Sequence, residues 1–132
     1  MKRSTVQLKR AYESASPRDG YRALVERLWP RGVRKADLRL DAWLKDIAPS
    51  SELRRWFAHE PSRFDEFAAR YRRELRRSPA KEALAVLRQR ALEGPVTLVY
   101  AAHDETHNGA VVLRGELEIA LAVHSPHPTP EE

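Results

Sequence analysis

The sequence predicts an α/β fold in which helices cover a short, mostly parallel sheet. Strand-like segments alternate with helical stretches along the chain, which is typical of this class. The run Val96 to Ala102 is apolar without alternation, as in a parallel strand that is buried on both faces. With 132 residues, the chain has room for one hydrophobic core. We therefore expect a single Rossmann-like three-layer domain over residues 4–123, followed by a disordered, proline-rich tail over residues 124–132.

The first half of the chain contains two clear strands. Residues 6–12 alternate apolar and polar side chains, which indicates a half-buried strand. A second, more apolar strand begins at Tyr21 and ends at the turn Trp29-Pro30-Arg31-Gly32. The loop between the two strands is too short for a helical crossover, so we expect them to be antiparallel. Residues 33–49 are ambiguous, and we predict a loop or short helix and then an extended piece near residues 42–45.

Helices dominate the second half of the chain. The segment Pro49-Ser50-Ser51-Glu52 predicts a helix start with a serine cap, and Pro61 suits the first position of the next helix. The pair Ser78-Pro79 is interpreted as a further cap followed by a first-turn proline, and Gly94 ends that helix. The buried strand follows, and a last helix spans residues 110–123.

The composition favours a cytoplasmic protein with anionic partners. The chain has a formal charge of +5 and no cysteine, which excludes disulfides and thiolate chemistry. It has no apolar run of about 20 residues and no apolar core of a signal peptide. The excess of arginine raises the expectation of nucleic acid, nucleotides or phosphorylated metabolites as partners.

Two strand ends carry the polar residues that could form a site. In open α/β sheets, ligands bind beyond the carboxyl ends of the strands. Arg27 and Arg31 could clamp a phosphate or carboxylate, although Arg27 could instead form an internal ion pair with Asp104 or Asp46. Trp29 could stack on a ligand ring or fill the core.

The second strand end carries an acid–base candidate. His107, oriented by Asp104, is the best such pair because imidazole titrates near neutral pH. The spacing of His103 and His107 also allows a divalent metal site with Asp104 and His59, and no other cofactor is predicted. A helix cap formed by Asp104 or Asn108 is the simpler interpretation of the same segment.

The chain lacks several standard motifs. It has no GxSxG, GxGxxG or P-loop sequence, so neither a hydrolase elbow nor a standard nucleotide cradle is indicated. Arginine-rich helices offer an alternative function as a non-enzymatic module that binds nucleic acid or a protein. Acidic residues interrupt that positive field.

Four segments resemble the YeaO-like branch of the domain of unknown function 488 family: VQLKRAYE, DGYRALVERLWPRGV, WLKDIAPSSELRRWFAHEPSRFDEF and LVYAAHDETHNGAVVL. The resemblance implies a small bacterial α/β domain whose biochemical role is not established. It adds Lys45 and Asn108 to the candidate ligand-binding residues and includes His59 among the shared positions. The chain differs from the family pattern at Glu26, where aspartate is usual, and at His103, where lysine is expected.

Together these features predict a polar pocket at the two strand ends. The ligand-binding candidates are Arg27, Arg31, Trp29, Asn108 and Lys45, and the catalytic candidates are His107 and Asp104. The expected ligand is small and bears a phosphate or carboxylate. The reaction, the oligomeric state and the question of catalysis stay open at this point.

Overall fold

Four strands form one all-parallel sheet in the computed structural model, which describes residues 6–123. The strands are β1 Val6–Arg10, β2 Tyr21–Leu24, β3 Ala42–Trp43 and β4 Val96–Tyr100. The helices are α1 Lys35–Leu38, α2 Ser51–Phe57, α3 Phe64–Glu74, α4 Ala80–Glu93 and α5 Gly109–Val123. Short 3₁₀ turns occupy Pro17–Asp19, Lys45–Ile47 and Pro61–Arg63. Residues 4 and 5 of the expected domain and the expected tail, 124–132, lie outside the described residues.

The strand order is β1-β4-β2-β3, so the last strand in the chain lies between the first two. Val96 of β4 is in register with Val6 on one side and Tyr21 on the other. The expectation that β1 and β2 are antiparallel is therefore wrong. Both strands run parallel to β4, which lies between them. The loop over residues 11–20 takes the chain from the end of β1 back to the edge of the sheet where β1 began, without a crossover α-helix.

Both faces of the sheet are covered, which confirms the predicted three-layer α/β class. Leu98 belongs to the larger core, which α2 to α5 form together with one face of the sheet. Val99, the next residue, points to the opposite face because side chains alternate along a strand. There it packs with Leu24, Ala11 and Leu38 of α1 in a smaller core. Leu24, Leu98 and Val99 have no exposed surface.

Local signals set most helix ends as predicted. The Ser50 hydroxyl accepts a hydrogen bond from the Leu53 N–H at 3.1 Å and so caps α2. Pro61 opens the turn that leads into α3, and Gly94 follows the last residue of α4. The prediction that Ser78 caps α4 is wrong. Pro79 occupies the cap position, and the Ser78 hydroxyl donates to the Glu82 carboxylate instead.

A buried ion pair lies before β2. The Asp19 carboxylate accepts hydrogen bonds from Lys9 Nζ at 3.0 Å and from Arg22 Nη1 at 2.6 Å. Arg22 also donates twice to the Leu38 carbonyl, at 3.0 and 2.8 Å. These bonds connect the start of β2 to β1 and α1. Over residues 6–123, no helix is long and apolar enough to cross a membrane.

Candidate functional site

A cavity of about 690 Å³ opens at the carboxyl ends of β2 and β4. We call it the strand-end cavity. Its walls come from both strand ends that the sequence singled out, from α2 and from the start of α5. Parallel strands end at the same edge of a sheet, which is why segments about 75 residues apart in the chain meet there. The predicted position of the pocket thus coincides with a cavity in the fold.

Glu26 lies in the wall of the cavity just after β2. Its Oε2 accepts a hydrogen bond from the Ala101 N–H at 2.9 Å, across the ends of the two central strands. Burial raises the pKa of Glu26, and this effect is only partly offset by the Ala101 N–H and by the charges of Arg54 and His59. The backbone of Glu26 is held as well, because Trp43 Nε1 donates to its carbonyl at 2.7 Å. Glu26 is therefore a fixed carboxyl group in surroundings that favour its neutral form.

Arg54 of α2 faces the same cavity. Its Nη2 donates to the Ser51 hydroxyl at 3.3 Å, while its Nε is buried and has no acceptor within residues 6–123. In the same range, no nitrogen of Arg54 approaches a Glu26 carboxylate oxygen closely enough to form an ion pair. Arg27 Nε, outside the cavity lining, is likewise buried and without an acceptor in this range, so this feature is not special to the cavity. What distinguishes Arg54 is a guanidinium at the cavity wall with no acidic partner among the described residues.

His107 and Asp104 form the pair that the sequence predicted. Asp104 Oδ2 lies 3.0 Å from His107 Nδ1. Asp104 Oδ1 accepts from the N–H groups of Thr106 and His107 at 2.9 and 3.0 Å. The Thr106 N–H, followed by that of His107, lowers the pKa of Asp104 to about 2. The ring of His107 also packs edge-on against Phe64, with centroids 5.2 Å apart. These contacts fix the orientation of the imidazole.

Asn108 caps α5, and the start of this helix lines the cavity. Its Oδ1 accepts from the Val111 N–H at 3.0 Å, and its Nδ2 donates to the Asp104 carbonyl at 2.8 Å. The preceding N–H groups, of Gly109 and Ala110, belong to the first helical turn and have no intrahelical acceptor. Both residues line the cavity. The helix start therefore brings a partial positive charge to this wall.

Trp29 and Tyr12 are two of the aromatic side chains that line the cavity. Trp29 Nε1 donates to the Val33 carbonyl at 2.7 Å, and its ring packs edge-on against Trp43, with centroids 5.3 Å apart. Tyr12 is 51% exposed, and its hydroxyl donates to the Arg31 carbonyl at 3.2 Å. The polar atom of each ring is thus bound to the protein, which leaves apolar ring surface for the cavity.

Most of the predicted site residues line the cavity: Trp29, Arg31, His59, His103, Asp104, His107 and Asn108. Arg27 and Lys45 lie outside the lining. Arg27 Nη2 donates to the Ala48 carbonyl at 3.1 Å, and Lys45 Nζ lies 4.2 Å from the ring centroid of Trp43. The Arg27 side chain is directed towards the segment that precedes α2, where it meets Ala48, and so lies away from the cavity.

Arg54, Glu26 and Tyr12 are the cavity residues that sequence reasoning missed as ligand-binding candidates. From the sequence, Arg54 belongs to the arginine-rich helices that could bind nucleic acid or a protein. A local signal was present, because Arg54 lies three residues before the buried Phe57 and so shares its helix face. Arg54 is far from both strand ends in the sequence, so the sequence does not show that the three segments meet in the fold.

Metal binding and the binding of nucleic acid or a protein, the two alternatives that the sequence offered, stay predictions. Within residues 6–123, no group of three or more histidine, aspartate or glutamate side chains is placed to hold a metal. Several arginines of the helical region contact neighbouring side chains. Arg63 and Arg70 lie over the ring of Trp56, with centroid distances of 5.5 and 4.3 Å, and Arg70 pairs with Glu66.

Sequence comparisons identify relatives over most of the chain. The family description "Inactive DUF488-N3 subclade" matches residues 5–131. Uncharacterised proteins of Mycobacterium tuberculosis and Mycobacterium bovis are 50% identical over 97 residues, which is 74% of this chain and 82% of theirs. The uncharacterised protein YeaO of Escherichia coli is 45% identical over 109 residues, or 82% of this chain and 92% of YeaO. No solved structure matches the chain significantly.

The family match covers nearly the whole chain, and the relatives are 45–50% identical over 74–82% of it. The resemblance stated from the sequence is thereby confirmed. The chain is a YeaO-like member of the DUF488 family and matches the description of its inactive N3 subclade.

Proposed function

We propose that the protein binds a small anionic ligand, bearing a phosphate or a carboxylate, in the strand-end cavity. The observation that carries the proposal is Arg54, a guanidinium in the cavity wall that forms no ion pair within residues 6–123. Arginine presents several donors in a planar fork that matches the geometry of both anionic groups. An anion in the cavity would supply the counter-charge that no neighbouring carboxylate provides.

The positive groups of the cavity support an anion. Arg31 and Arg54 carry permanent positive charges, and the start of α5 adds a partial one. The Asp104 carboxylate is held by backbone N–H groups and His107, and Glu26 accepts from the Ala101 N–H. Within residues 6–123, neither arginine forms an ion pair with a carboxylate, so both guanidinium groups remain available to an anion.

We infer binding without turnover. The description of the matching subclade as inactive supports this choice. The pair of Asp104 and His107 has the geometry of an oriented acid–base group, with 3.0 Å between Oδ2 and Nδ1. In a binding protein the same orientation presents the other ring nitrogen of His107 to the ligand as a hydrogen-bonding group.

Thermal-shift measurements with sulfate, phosphate and citrate test the proposal. A ligand at about 100 times its Kd adds roughly 2.7 kcal/mol to the free energy of unfolding, a rise in Tm on the order of 10 °C for a domain of this size. We expect Arg54→Gln to abolish the ligand-induced rise. The neighbouring Arg55→Gln, at an exposed position of the same helix, should leave it unchanged.

The comparison uses the ligand-induced rise in each variant, so a change in the Tm of the free protein does not affect it. The absence of a rise with any anion would refute the proposal. A rise that Arg54→Gln and Arg55→Gln reduce equally would also refute it, because it would reflect general screening of a basic protein.

A further inference from the structure

The size of the strand-end cavity indicates an organic ligand. About 690 Å³ is in the range of roughly 300–1,000 Å³ that binding sites for drug-sized molecules occupy. An inorganic oxyanion would contact Arg54 and leave most of this volume to water. The ligand therefore has a body as well as an anionic group.

The aromatic walls indicate the chemistry of that body. Trp29 is fixed by its hydrogen bond to Val33 and by its edge contact with Trp43, so its position is set before any ligand arrives. The Tyr12 hydroxyl is bound to the Arg31 carbonyl. What these side chains offer is ring surface, which binds flat aromatic rings through stacking and edge contacts.

Glu26 and Arg54 indicate that the ligand also carries hydrogen-bond donors. The two side chains face the same cavity and do not pair with each other within residues 6–123. A ligand that bonds to both must accept from the guanidinium and, when Glu26 is ionised, donate to its carboxylate. Sugar hydroxyls and the amide-like edges of heterocyclic bases supply such donors. A fully ionised phosphate offers acceptors only.

From these three features we propose that the ligand of the strand-end cavity is a nucleoside monophosphate. This inference rests on the proposed anion-binding function and adds the ring and the sugar. The base lies against Trp29 and Tyr12, and a hydroxyl or base edge bonds to Glu26. The phosphate is held by Arg54, together with Arg31 and the start of α5.

Titration calorimetry with the full chain tests this assignment. The probes are the four common nucleoside 5′-monophosphates, the corresponding nucleosides, ribose 5-phosphate, inorganic phosphate and a short single-stranded oligonucleotide. We expect at least one monophosphate to bind at least tenfold more tightly than ribose 5-phosphate and than its own nucleoside. Tyr12→Leu removes an exposed ring and should weaken monophosphate binding about tenfold, while ribose 5-phosphate binding stays unchanged. Tyr12→Phe keeps the ring and serves as the matched control.

The outcomes separate this inference from the proposed function. If ribose 5-phosphate or inorganic phosphate binds as tightly as every monophosphate, the nucleotide assignment is overturned and anion binding stands. The assignment is also overturned if Tyr12→Leu leaves monophosphate binding unchanged, or if the oligonucleotide binds more tightly than any monophosphate. If no probe binds, both proposals fail.

Discussion

Asp19→Asn is expected to lower the free energy of unfolding by about 3 kcal/mol at neutral pH. Asp19 is 2% exposed, and its carboxylate bonds to Lys9 Nζ at 3.0 Å and to Arg22 Nη1 at 2.6 Å. The Arg22 side chain is 4% exposed, so the substitution leaves a buried guanidinium without its counter-charge. Breaking such a pair costs roughly 3–5 kcal/mol. The lower value applies because the amide oxygen of asparagine still accepts one hydrogen bond.

Asp37→Asn is the matched control, because it disrupts a pair with the same sequence spacing. Arg34 and Asp37 are also three residues apart, with 3.1 Å between Nε and Oδ2, but their side chains are 82% and 62% exposed. Exposed pairs contribute about 0–1 kcal/mol. Urea unfolding of both variants at neutral pH gives the comparison, provided that the m-values agree.

The effect of Asp19→Asn should depend on pH. Burial alone would raise the pKa of Asp19, but hydrogen bonds from Lys9, the Ser16 N–H and Arg22 together hold it below its usual value. A lowered pKa in the folded state means stabilisation that is present above the unfolded-state pKa and lost as the pH falls through the folded-state value. The loss in free energy of unfolding that Asp19→Asn causes should therefore be largest at pH 7 and become smaller below about pH 4. Equal losses in both variants, or a deficit that is undiminished at about pH 2, would refute the reasoning.

Two further substitutions concern the cavity wall. Asn108→Ala should cost about 1–2 kcal/mol in urea unfolding, because it removes the cap of α5 and the bond to the Asp104 carbonyl. Asn108→Ser should recover part of this loss, and equal stability of both variants would contradict the capping role. Glu26→Gln should gain stability relative to the wild type as the pH rises from about 4 to about 7. Because burial raises the pKa of Glu26 in the folded state, the contribution of Glu26 to wild-type stability falls over this interval, whereas glutamine does not titrate. A difference that stays constant with pH would contradict this prediction.

Local chemistry made much of the fold predictable. The hydroxyl of Ser50 and the break at Gly94 act within one helical turn, so their effect could be inferred from neighbouring residues. The buried run at residues 96–100 likewise forms a strand. The order of the strands was not predictable in this way, because the pairing of β1 with β4 joins residues 90 positions apart. The short loop after β1 suggested the wrong neighbour, since loop length alone does not show that a later strand will be inserted.

The same distinction explains which parts of the site could be predicted. Asp104, His107 and Asn108 lie within five residues, and their mutual bonds depend only on local backbone geometry. The approach of Arg54 to Glu26 and Ala101 depends instead on the strand order and on how α2 packs. Arg27 is a natural anion-binding candidate from its chemistry, but its guanidinium donates to the Ala48 carbonyl and lies outside the cavity lining. That contact depends on how the segment before α2 packs, which local sequence does not show.

Glu26 and Arg54 link the stability of the domain to its proposed function. Replacing buried charged groups by apolar groups of similar volume is often neutral or stabilising, so packing alone does not explain why both charges line one cavity. In a well-paired structural ion pair they would bond to each other, as Asp19 and Arg22 do at 2.6 Å. Within residues 6–123 they do not, although each faces the strand-end cavity. A ligand that bonds to both would stabilise the folded protein through the interactions that the free protein lacks. In the wild type, the gain in free energy of unfolding on ligand binding should therefore be largest in the pH range in which Glu26 is ionised. This is the range in which Glu26→Gln gains stability relative to the wild type.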